Sequence, residues 1–201
     1  SRSRGRVYVP RLAMAALRNE SVEHAEDGGH VLTGGTGGLG LLTARWLAQA
    51  RGAAELVLAS RSGVLAPGGA AEWALLRESG AQVRLARGGA AEPGAGRRLL
   101  SSASLARLGG VWHAAGVLAD GLLAKQTAAT LRRAYGPKAH GAWSVQRGVV
   151  AQPLEACALF SSVAALLGGA GQANYSAANA CLDALASCRR SRSLSGVSVQ
   201  R

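Results

Sequence analysis

Aromatic residues are scarce in this chain of 201 residues, because phenylalanine, tryptophan and tyrosine together make up only 4% of it. A core filled by large rings is therefore excluded, although 48% of the residues are hydrophobic. Alanine, glycine, leucine and valine supply most of that content. Small aliphatic side chains let helices pack closely on a parallel sheet, so the composition favours one compact α/β domain.

Cysteines and long apolar runs are also few. Cys157, Cys181 and Cys188 form neither an even set nor a CxxC pair, so we predict reduced thiols, no disulfide framework and no metal site. No apolar run reaches the roughly 18 to 20 residues that cross a bilayer. The N-terminal sequence SRSRGRVYVPRL lacks the apolar stretch of a secretory signal. We therefore expect a cytoplasmic protein without a membrane segment.

Acidic residues are outnumbered, with 11 against 23 basic ones, and the formal net charge is +12. Such a surface suits nucleic acid, an anionic cofactor or an acidic partner protein, and charge alone does not choose among them. The arginines occur singly or in pairs such as Arg189-Arg190, without interleaved aromatic residues. This scatter argues against nucleic-acid binding and favours a solvated basic surface.

Short β-rich runs alternate with helical stretches from His30 onward. The predicted strands are HVLTG, ELVLAS, AQVRLA, GVWHAAG, CALFSS and VSVQ, and the predicted helices lie near residues 41–50, 71–79, 96–108, 127–147 and 172–188. This alternation predicts a Rossmann-like, doubly wound parallel sheet with helices on both faces. Glycine- and alanine-rich patches at residues 66–71 and 88–96 indicate loops. Residues 1–29, a strand at 5–12 followed by a polar linker, are predicted to form a part separate from residues 30–201.

A glycine-rich loop joins the first predicted strand to an apolar helix. Glycines let the backbone approach a pyrophosphate, and the following helix offers free N–H groups and a positive dipole end to the anion. The position between strand and helix predicts a dinucleotide site. Its spacing fits both TGxxxGxG and TGxxGxxG, so it does not separate subfamilies. The predicted cofactor-binding residues of this loop are Gly34, Thr36, Gly37, Gly38, Leu39 and Gly40.

The second strand ends in Ser60-Arg61-Ser62, where such a fold meets the adenosine ribose. NAD sites usually place a carboxylate there for the 2′-hydroxyl, whereas an arginine beside a hydroxyl suits a 2′-phosphate. Ser60 and Arg61 therefore predict NADPH as the cofactor. The alternative is that Arg61 is one more arginine in an arginine-rich chain. Ala114, Ala115 and Gly116, small residues after the fourth strand, could pack against the nicotinamide ring.

Three later motifs carry a resemblance to a known family. They are Pro137-Lys138-Ala139, Leu159-Phe160-Ser161-Ser162 and GQANYSAAN at residues 171–179. With the glycine loop they resemble the short-chain dehydrogenase/reductase superfamily, and within it the ketoreductase domains of modular polyketide and type I fatty acid synthases. Most members of that superfamily carry Tyr-x-x-x-Lys, but here Asn179 follows Tyr175 by four positions and Lys138 lies upstream. Synthase ketoreductases are similar in this exchange, and the resemblance implies Lys138, Ser162, Tyr175 and Asn179 as catalytic residues.

The chemistry of these four groups agrees with the reduction of a ketone, which needs a hydride on carbon and a proton on oxygen. The phenol of Tyr175 can donate the proton, and the ammonium of Lys138 would stabilise the phenolate and bond the nicotinamide ribose. Ser162 would hydrogen-bond the carbonyl oxygen, and Asn179 could hold a water that returns the proton. Taken singly, a Ser-Ser pair after a strand also fits a helix cap, and a helical tyrosine also fits a core position.

The resemblance implies a multifunctional oxidoreductase that reduces 3-oxoacyl thioesters within polyketide or fatty acid biosynthesis. Its partners would be an acyl carrier protein, whose phosphopantetheine arm holds the β-ketoacyl chain, and neighbouring synthase domains. Carrier domains are commonly acidic, which agrees with the basic surface. A fragment that binds NADPH or only scaffolds its neighbours, without turnover, is an alternative. A nucleotide-sugar epimerase or dehydratase is another, although Asn179 argues against it because those enzymes resemble the Tyr-x-x-x-Lys pattern.

The chain departs from the family pattern in several places. Gly89 stands where such reductases usually have an aspartate that bonds adenine, which predicts weaker adenine binding. The chain ends within the sixth predicted strand, which predicts an incomplete substrate lid. Leu118-Ala119-Asp120 resembles the Leu-Asp-Asp of B-type members except at Ala119, and favours B-type stereochemistry unless Asp120 only caps the next helix.

Overall fold

The computed structural model describes residues 28–92, 94–103, 105 and 107–201. Within them, six parallel strands form one sheet in the order β3-β2-β1-β4-β5-β6. The strand order reverses between β1 and β4, which confirms the predicted Rossmann-like, doubly wound α/β fold. The predicted strand at residues 5–12 lies outside the described residues. The strands are β1 (Gly29–Thr33), β2 (Glu55–Ser60), β3 (Gln82–Arg87), β4 (Leu108–His113), β5 (Ala156–Phe160) and β6 (Val197–Val199).

Helices connect the successive strands. A 3₁₀ turn at Leu123–Lys125 precedes α4, and a π-helical turn at Gly136–His140 joins α4 to α5. The helix that follows the glycine loop ends where Gly52 adopts a φ of 69° and caps the Leu47 carbonyl. The helices are α1 (Gly38–Arg51), α2 (Ala70–Glu78), α3 (Ala95–Ser102), α4 (Ala128–Tyr135), α5 (Gly141–Val149), α6 (Ala164–Leu167) and α7 (Ala173–Arg190).

The core has two apolar layers because neighbouring side chains of each strand point to opposite faces of the sheet. On one face, Leu32 of β1 packs with buried leucines of β2, α1 and α2. On the other face, Val31 and Val111 pack with buried side chains of α3 and α5, and Leu159 of β5 packs against α7. Helices therefore lie on both faces of the central strands, whereas Leu85 of β3 and Val199 of β6 stay partly exposed, and the carboxyl ends of the strands remain accessible for a site.

Three predicted boundaries require correction, and one helix was missed. The helix predicted for residues 96–108 ends at Ser102, and residue 108 already belongs to β4. The helix predicted for residues 127–147 is divided by the π-helical turn, because Pro137 lacks the N–H that a regular helix requires. The helix α2 begins at Ala70, inside a patch predicted as a loop. Residues 164–167 form the short helix α6, which was not predicted and has too few residues for a periodic pattern.

No helix in the described part of the chain is both long and apolar enough to cross a bilayer. The same residues bring together no group of three histidine, cysteine or acidic side chains that could hold a metal ion. Cys157 is buried, Cys181 and Cys188 are exposed, and all three thiols are free.

Candidate active site

The glycine loop leaves open space at the first turn of α1. A Cβ on Gly34, whose φ is 71°, would lie 2.7 Å from the backbone nitrogen of Ala115. A Cβ on Gly40 would lie 2.4 Å from the Gly34 carbonyl oxygen, whereas a Cβ on Gly38 would meet nothing within 4 Å. The N-cap residue of α1 is Gly37, which has no side chain that could accept hydrogen bonds from the first N–H groups of the helix. The loop is therefore tightly packed on its inner side, and its outer side presents unpaired helix N–H groups.

A groove of about 860 Å³ runs along the carboxyl ends of β1, β2 and β4, beside the reversal in strand order. This is the position at which doubly wound sheets bind ligands, and the volume lies within the usual range of about 300 to 1,000 Å³. Together with the open loop, it fits an elongated anionic cofactor. The predicted cofactor residues in its wall are Gly34, Thr36, Gly37, Ser60, Arg61, Ala114, Ala115 and Gly116.

Three other residues of the predicted loop lie elsewhere. Gly38 and Gly40 are not part of the groove wall, and Leu39 lines a second cavity next to the groove. Gly40 instead packs inside the loop against Gly34. The predicted loop residues therefore divide into those that face the groove and those that shape the loop.

Two groove residues were missed by sequence reasoning. Arg132 and Arg133, in the last turn of α4, line the groove that Arg61 also lines. In the sequence they form one of several arginine pairs, and nothing in their spacing separates them from a solvated surface. Their position depends on how α4 packs beside the carboxyl ends of the strands. The three guanidinium groups make the groove basic, which suits phosphate groups.

Lys138 is held inside the site by the π-helical turn. Its side chain is only 4% exposed, and its Nζ donates a hydrogen bond of 3.0 Å to the Phe160 carbonyl oxygen at the end of β5. The same Nζ lies 5.1 Å from the centroid of the Tyr175 ring. Burial lowers the pKa of Lys138 from its ordinary 10.5 to about 8, and the positive charge of Arg201 acts in the same direction.

A cavity of about 370 Å³ brings Lys138, Ser162 and Tyr175 together. It shares the wall residues Ala114, Gly116 and Val117 with the groove, so the two spaces adjoin at the end of β4. An ammonium, a hydroxyl and a phenol therefore surround one space beside the expected nicotinamide end of the groove. Such a set can donate a proton to an oxygen and stabilise the charge that remains.

Ser162 has two hydrogen-bond partners in this arrangement. Its Oγ donates to the Arg201 carbonyl oxygen at 3.2 Å and accepts from the Ala164 N–H at 3.3 Å. The second bond joins Ser162 to the first residue of the short helix α6, whose N-cap is Val163 and has no side-chain cap. The residue lines the cavity as well, so this bond and contact with a ligand are compatible.

Asn179 differs from the other three predicted residues because it does not line the cavity. It is fully buried on α7, and its Nδ2 donates a hydrogen bond of 2.9 Å to the Tyr175 carbonyl oxygen. Its Oδ1 has no hydrogen-bond partner among the residues that the structure describes. An unpaired buried oxygen costs free energy, so this position fits a bound water or another donor.

The segment of residues 118–121 is tied to the start of α7. Asn174 donates from Nδ2 to the Ala119 carbonyl oxygen at 2.8 Å, and the Gly121 N–H donates to the Gly171 carbonyl oxygen at 2.8 Å. Asp120 accepts a hydrogen bond of 3.1 Å from Gln172. The following helix α4 is capped by Thr127, so Asp120 is not its cap. The B-type assignment stays a prediction.

Gly89 lies between two residues that line the groove. A Cβ at this position would lie 3.1 Å from Oε1 of Glu92 and 3.6 Å from Cγ of Arg61. Its neighbours Gly88 and Ala90 line the groove. An acidic side chain at position 89 would therefore meet Glu92 at close range, which is a physical reason why glycine is compatible with this loop.

Comparison with protein families gives one match that covers most of the chain. A family described as KR domain matches residues 28–201. Polyketide synthase GfsA from Streptomyces halstedii is 41% identical over 196 residues, which are 97% of this chain and 3% of that protein. The mycocerosic acid synthase-like polyketide synthase from Mycobacterium tuberculosis (strain ATCC 25618 / H37Rv) is 41% identical over 177 residues, which are 86% of this chain and 8% of that protein.

Solved structures give a similar result. A structure described as an A-type ketoreductase from a modular polyketide synthase has a TM-score of 0.83 and 40% identity, and the match covers 94% of this chain and 40% of that one. The first ketoreductase of the tylosin polyketide synthase has a TM-score of 0.77 and 39% identity, with 87% and 38% covered. The chain thus spans less than half of these structures and less than a tenth of the two synthases.

Proposed function

Because the chain belongs to the ketoreductase (KR) domain family of modular polyketide synthases, we propose that it uses NADPH to reduce a 3-oxoacyl thioester to the 3-hydroxyacyl thioester. The observation that carries the proposal is the single cavity around Lys138, Ser162 and Tyr175, which adjoins the basic groove behind the glycine loop. NADPH would supply the hydride. The chain's own groups would bind the cofactor, orient the ketone and deliver the proton.

The proposed roles follow from the contacts of each group. The Tyr175 phenol donates its proton to the ketone oxygen, and the Lys138 ammonium, 5.1 Å from the ring centroid, stabilises the phenolate that remains. The Ser162 hydroxyl donates to the same oxygen as negative charge develops, exchanging its present partner for the substrate. The Oδ1 of Asn179 holds the water that returns the proton to the phenolate.

The proposed cofactor residues act through backbone and guanidinium groups. The open face of the glycine loop and the first turn of α1 accept the pyrophosphate, and Arg61 with Ser60 accepts the 2′-phosphate. Arg132 and Arg133 add positive charge to the groove wall. A preference for NADPH over NADH is therefore part of the proposal.

The proposed substrate carrier is an acyl carrier protein within a multidomain synthase. The net charge of +12 supports association with an acidic carrier, because complementary charge steers encounter. The relatives that support this are themselves synthases many times longer than this chain.

Substitution of Tyr175 tests the proposed chemistry. We expect Tyr175→Phe to lower the rate of 3-oxoacyl thioester reduction by about 100-fold or more, because the proton donor is lost while the ring is kept. Tyr135→Phe is the matched control, since Tyr135 lies in neither the groove nor the cavity. The rate of NADPH oxidation and the mass of the product are measured for both variants. An unchanged rate in Tyr175→Phe would show that another group donates the proton.

A second candidate function is NADPH binding without turnover. One observation in its favour is that Ser162 donates its hydrogen bond to the Arg201 carbonyl oxygen, so the hydroxyl that the substrate needs is already engaged. The other is Gly89, which replaces the aspartate that is expected to bond adenine. In that case NADPH would bind and quench tryptophan fluorescence, but no hydroxyacyl product would form. Product formation by the chain would exclude this candidate.

A further inference from the structure

A buried histidine lies between two parts of the site. His113, the last residue of β4, is 0% exposed and has no role in the proposed reaction. Its Nδ1 lies 2.6 Å from Oγ1 of Thr33, and its Nε2 lies 3.0 Å from the Lys138 carbonyl oxygen. A carbonyl oxygen only accepts, so Nε2 carries the hydrogen. Burial lowers the pKa of His113 to about 4, so the ring is neutral and Nδ1 accepts from the Thr33 hydroxyl.

Thr33 anchors this pair to the start of the cofactor site. It is the last residue of β1, is 2% exposed, and lies opposite His113 in the parallel register. The next residue, Gly34, begins the glycine loop. The Ala114 N–H also donates to the Thr33 carbonyl oxygen at 2.9 Å. The two strand ends are therefore joined by one backbone bond and one side-chain bond.

The other nitrogen of His113 bonds the π-helical turn. Pro137 lies inside a long helical stretch and has no N–H to donate. The Gly141 N–H donates to the carbonyl oxygen of Gly136, five residues back, which is the hydrogen bond of a π-helix. A Cβ on Gly141 would lie 3.0 Å from Cε1 of His113, so the ring fills the space beside this turn. The irregular turn thus lies directly against His113.

Lys138 carries its side chain from that turn into the cavity. The stem passes Gly116, where a Cβ would lie 3.0 Å from Cε of Lys138, and Nζ ends at the Phe160 carbonyl oxygen and the Tyr175 ring. Its backbone oxygen accepts a hydrogen bond from His113, and its ammonium lies 5.1 Å from the ring centroid of the proposed proton donor, Tyr175. A shift of the turn would therefore move the ammonium away from the Phe160 carbonyl oxygen and from the phenol ring.

We propose that Thr33 and His113 are positioning residues, which hold the backbone of Lys138 at a fixed distance from the start of the glycine loop and thereby keep its ammonium against Tyr175. The pair connects the cofactor site to the proton-donating group: Thr33 lines the groove, whereas His113 lines neither the groove nor the cavity. The importance of this position for catalysis rests on the proposed function, whereas the positioning itself is a property of the fold and can be measured without turnover.

The chain offers a direct probe because its lysines are Lys125, which is exposed, and Lys138, which is buried. In protein labelled with carbon-13 at the lysine Cε, two-dimensional NMR follows both titrations. We expect Lys138 to titrate near pH 8 in the wild type and Lys125 to serve as internal reference. Arg201, which lowers the pKa of Lys138, and Asp183, which raises it, are the same in every variant.

The variants Thr33→Val and His113→Leu each break the connection. If the pair positions Lys138, its ammonium becomes better solvated in both, and its pKa rises towards the ordinary 10.5. Thr33→Ser keeps the hydroxyl and should restore the wild-type titration. A merely structural role would lower the melting temperature of Thr33→Val and leave the titration of Lys138 unchanged.

The reduction assay adds a second readout. In Thr33→Val, we expect kcat to fall by about tenfold or more while KM for the thioester changes little, because a displaced charge affects the transition state more than binding. A wild-type titration of Lys138 in folded Thr33→Val would overturn the proposal, and Thr33→Val decides the case if His113→Leu does not fold. A raised pKa in a protein that never reduces a ketone would support the positioning and refute only the proposed function.

Discussion

The buried Lys138 ammonium predicts that the protein becomes more stable as the pH rises above neutral. Its pKa falls from the ordinary 10.5 to about 8 in the folded chain, a difference that corresponds to about 3 kcal/mol. Between these values the unfolded chain still binds a proton that the folded chain has released, so the free energy of unfolding increases with pH. From about pH 7 to about pH 9.5 the increase due to Lys138 is about 2 kcal/mol.

Urea unfolding at these two pH values measures the increase in the wild-type chain and in Lys138→Met. Methionine fills similar space without a charge, so the increase should be about 2 kcal/mol smaller in the variant. Burial raises the pKa of the Cys157 thiol, which gives an opposite slope, but this contribution is common to both proteins and cancels in the comparison. The matched control Lys125→Met changes an exposed lysine and should behave like the wild type.

An equal pH dependence in the wild type and in Lys138→Met would refute this reasoning. It would mean that the Lys138 ammonium is hydrated in the folded chain rather than buried between β5 and α7. The electrostatic support for the Tyr175 phenolate would then be screened by water, and the proposed role of the lysine would be lost.

Three further substitutions test the cofactor groove and the glycine loop. Arg61→Ala should raise the Kd for NADPH by about 10- to 100-fold and leave the Kd for NADH unchanged, because only the 2′-phosphate loses a charged partner; fluorescence titration measures both, and an equal effect on the two cofactors would contradict the assignment. Gly40→Ala should lower the free energy of unfolding by about 1 to 3 kcal/mol, because its Cβ would lie 2.4 Å from the Gly34 carbonyl oxygen. The matched variant Gly38→Ala, whose Cβ meets nothing within 4 Å, should keep the wild-type free energy of unfolding; an equal loss in both variants would show that the close contact at position 40 does not determine stability.

The sheet and much of the site could be predicted because their determinants are local in the sequence. Apolar β-rich runs identify the strands. The loop that starts at Thr33 can be recognised because it lies between a strand and an apolar helix. The number of residues between Lys138 and Tyr175 does not by itself indicate that the two side chains lie close together in space. The family resemblance supplied that pairing, and the 5.1 Å between the ammonium and the ring centroid agrees with it.

Other features depend on packing that no short stretch encodes. Arg132 and Arg133 reach the groove only because α4 packs beside the strand ends. Asn179 shares a helix with Tyr175, but which of their faces meets the cavity depends on how α7 packs on β5. The π-helical turn had a signal in Pro137, since proline interrupts helices, yet its contact with His113 joins residues far apart in the sequence.

The most direct test of the central claim is the transfer of deuterium to a 3-oxoacyl N-acetylcysteamine thioester from NADPH in which both hydrogens at the nicotinamide C4 are deuterium. We predict a 3-hydroxyacyl product whose mass is raised by one deuterium located at C3 of the acyl chain, formed with the wild-type chain and at most in traces with Tyr175→Phe. A chain that binds NADPH in the groove and yields no labelled product, or a Tyr175→Phe variant that yields as much as the wild type, would contradict the account.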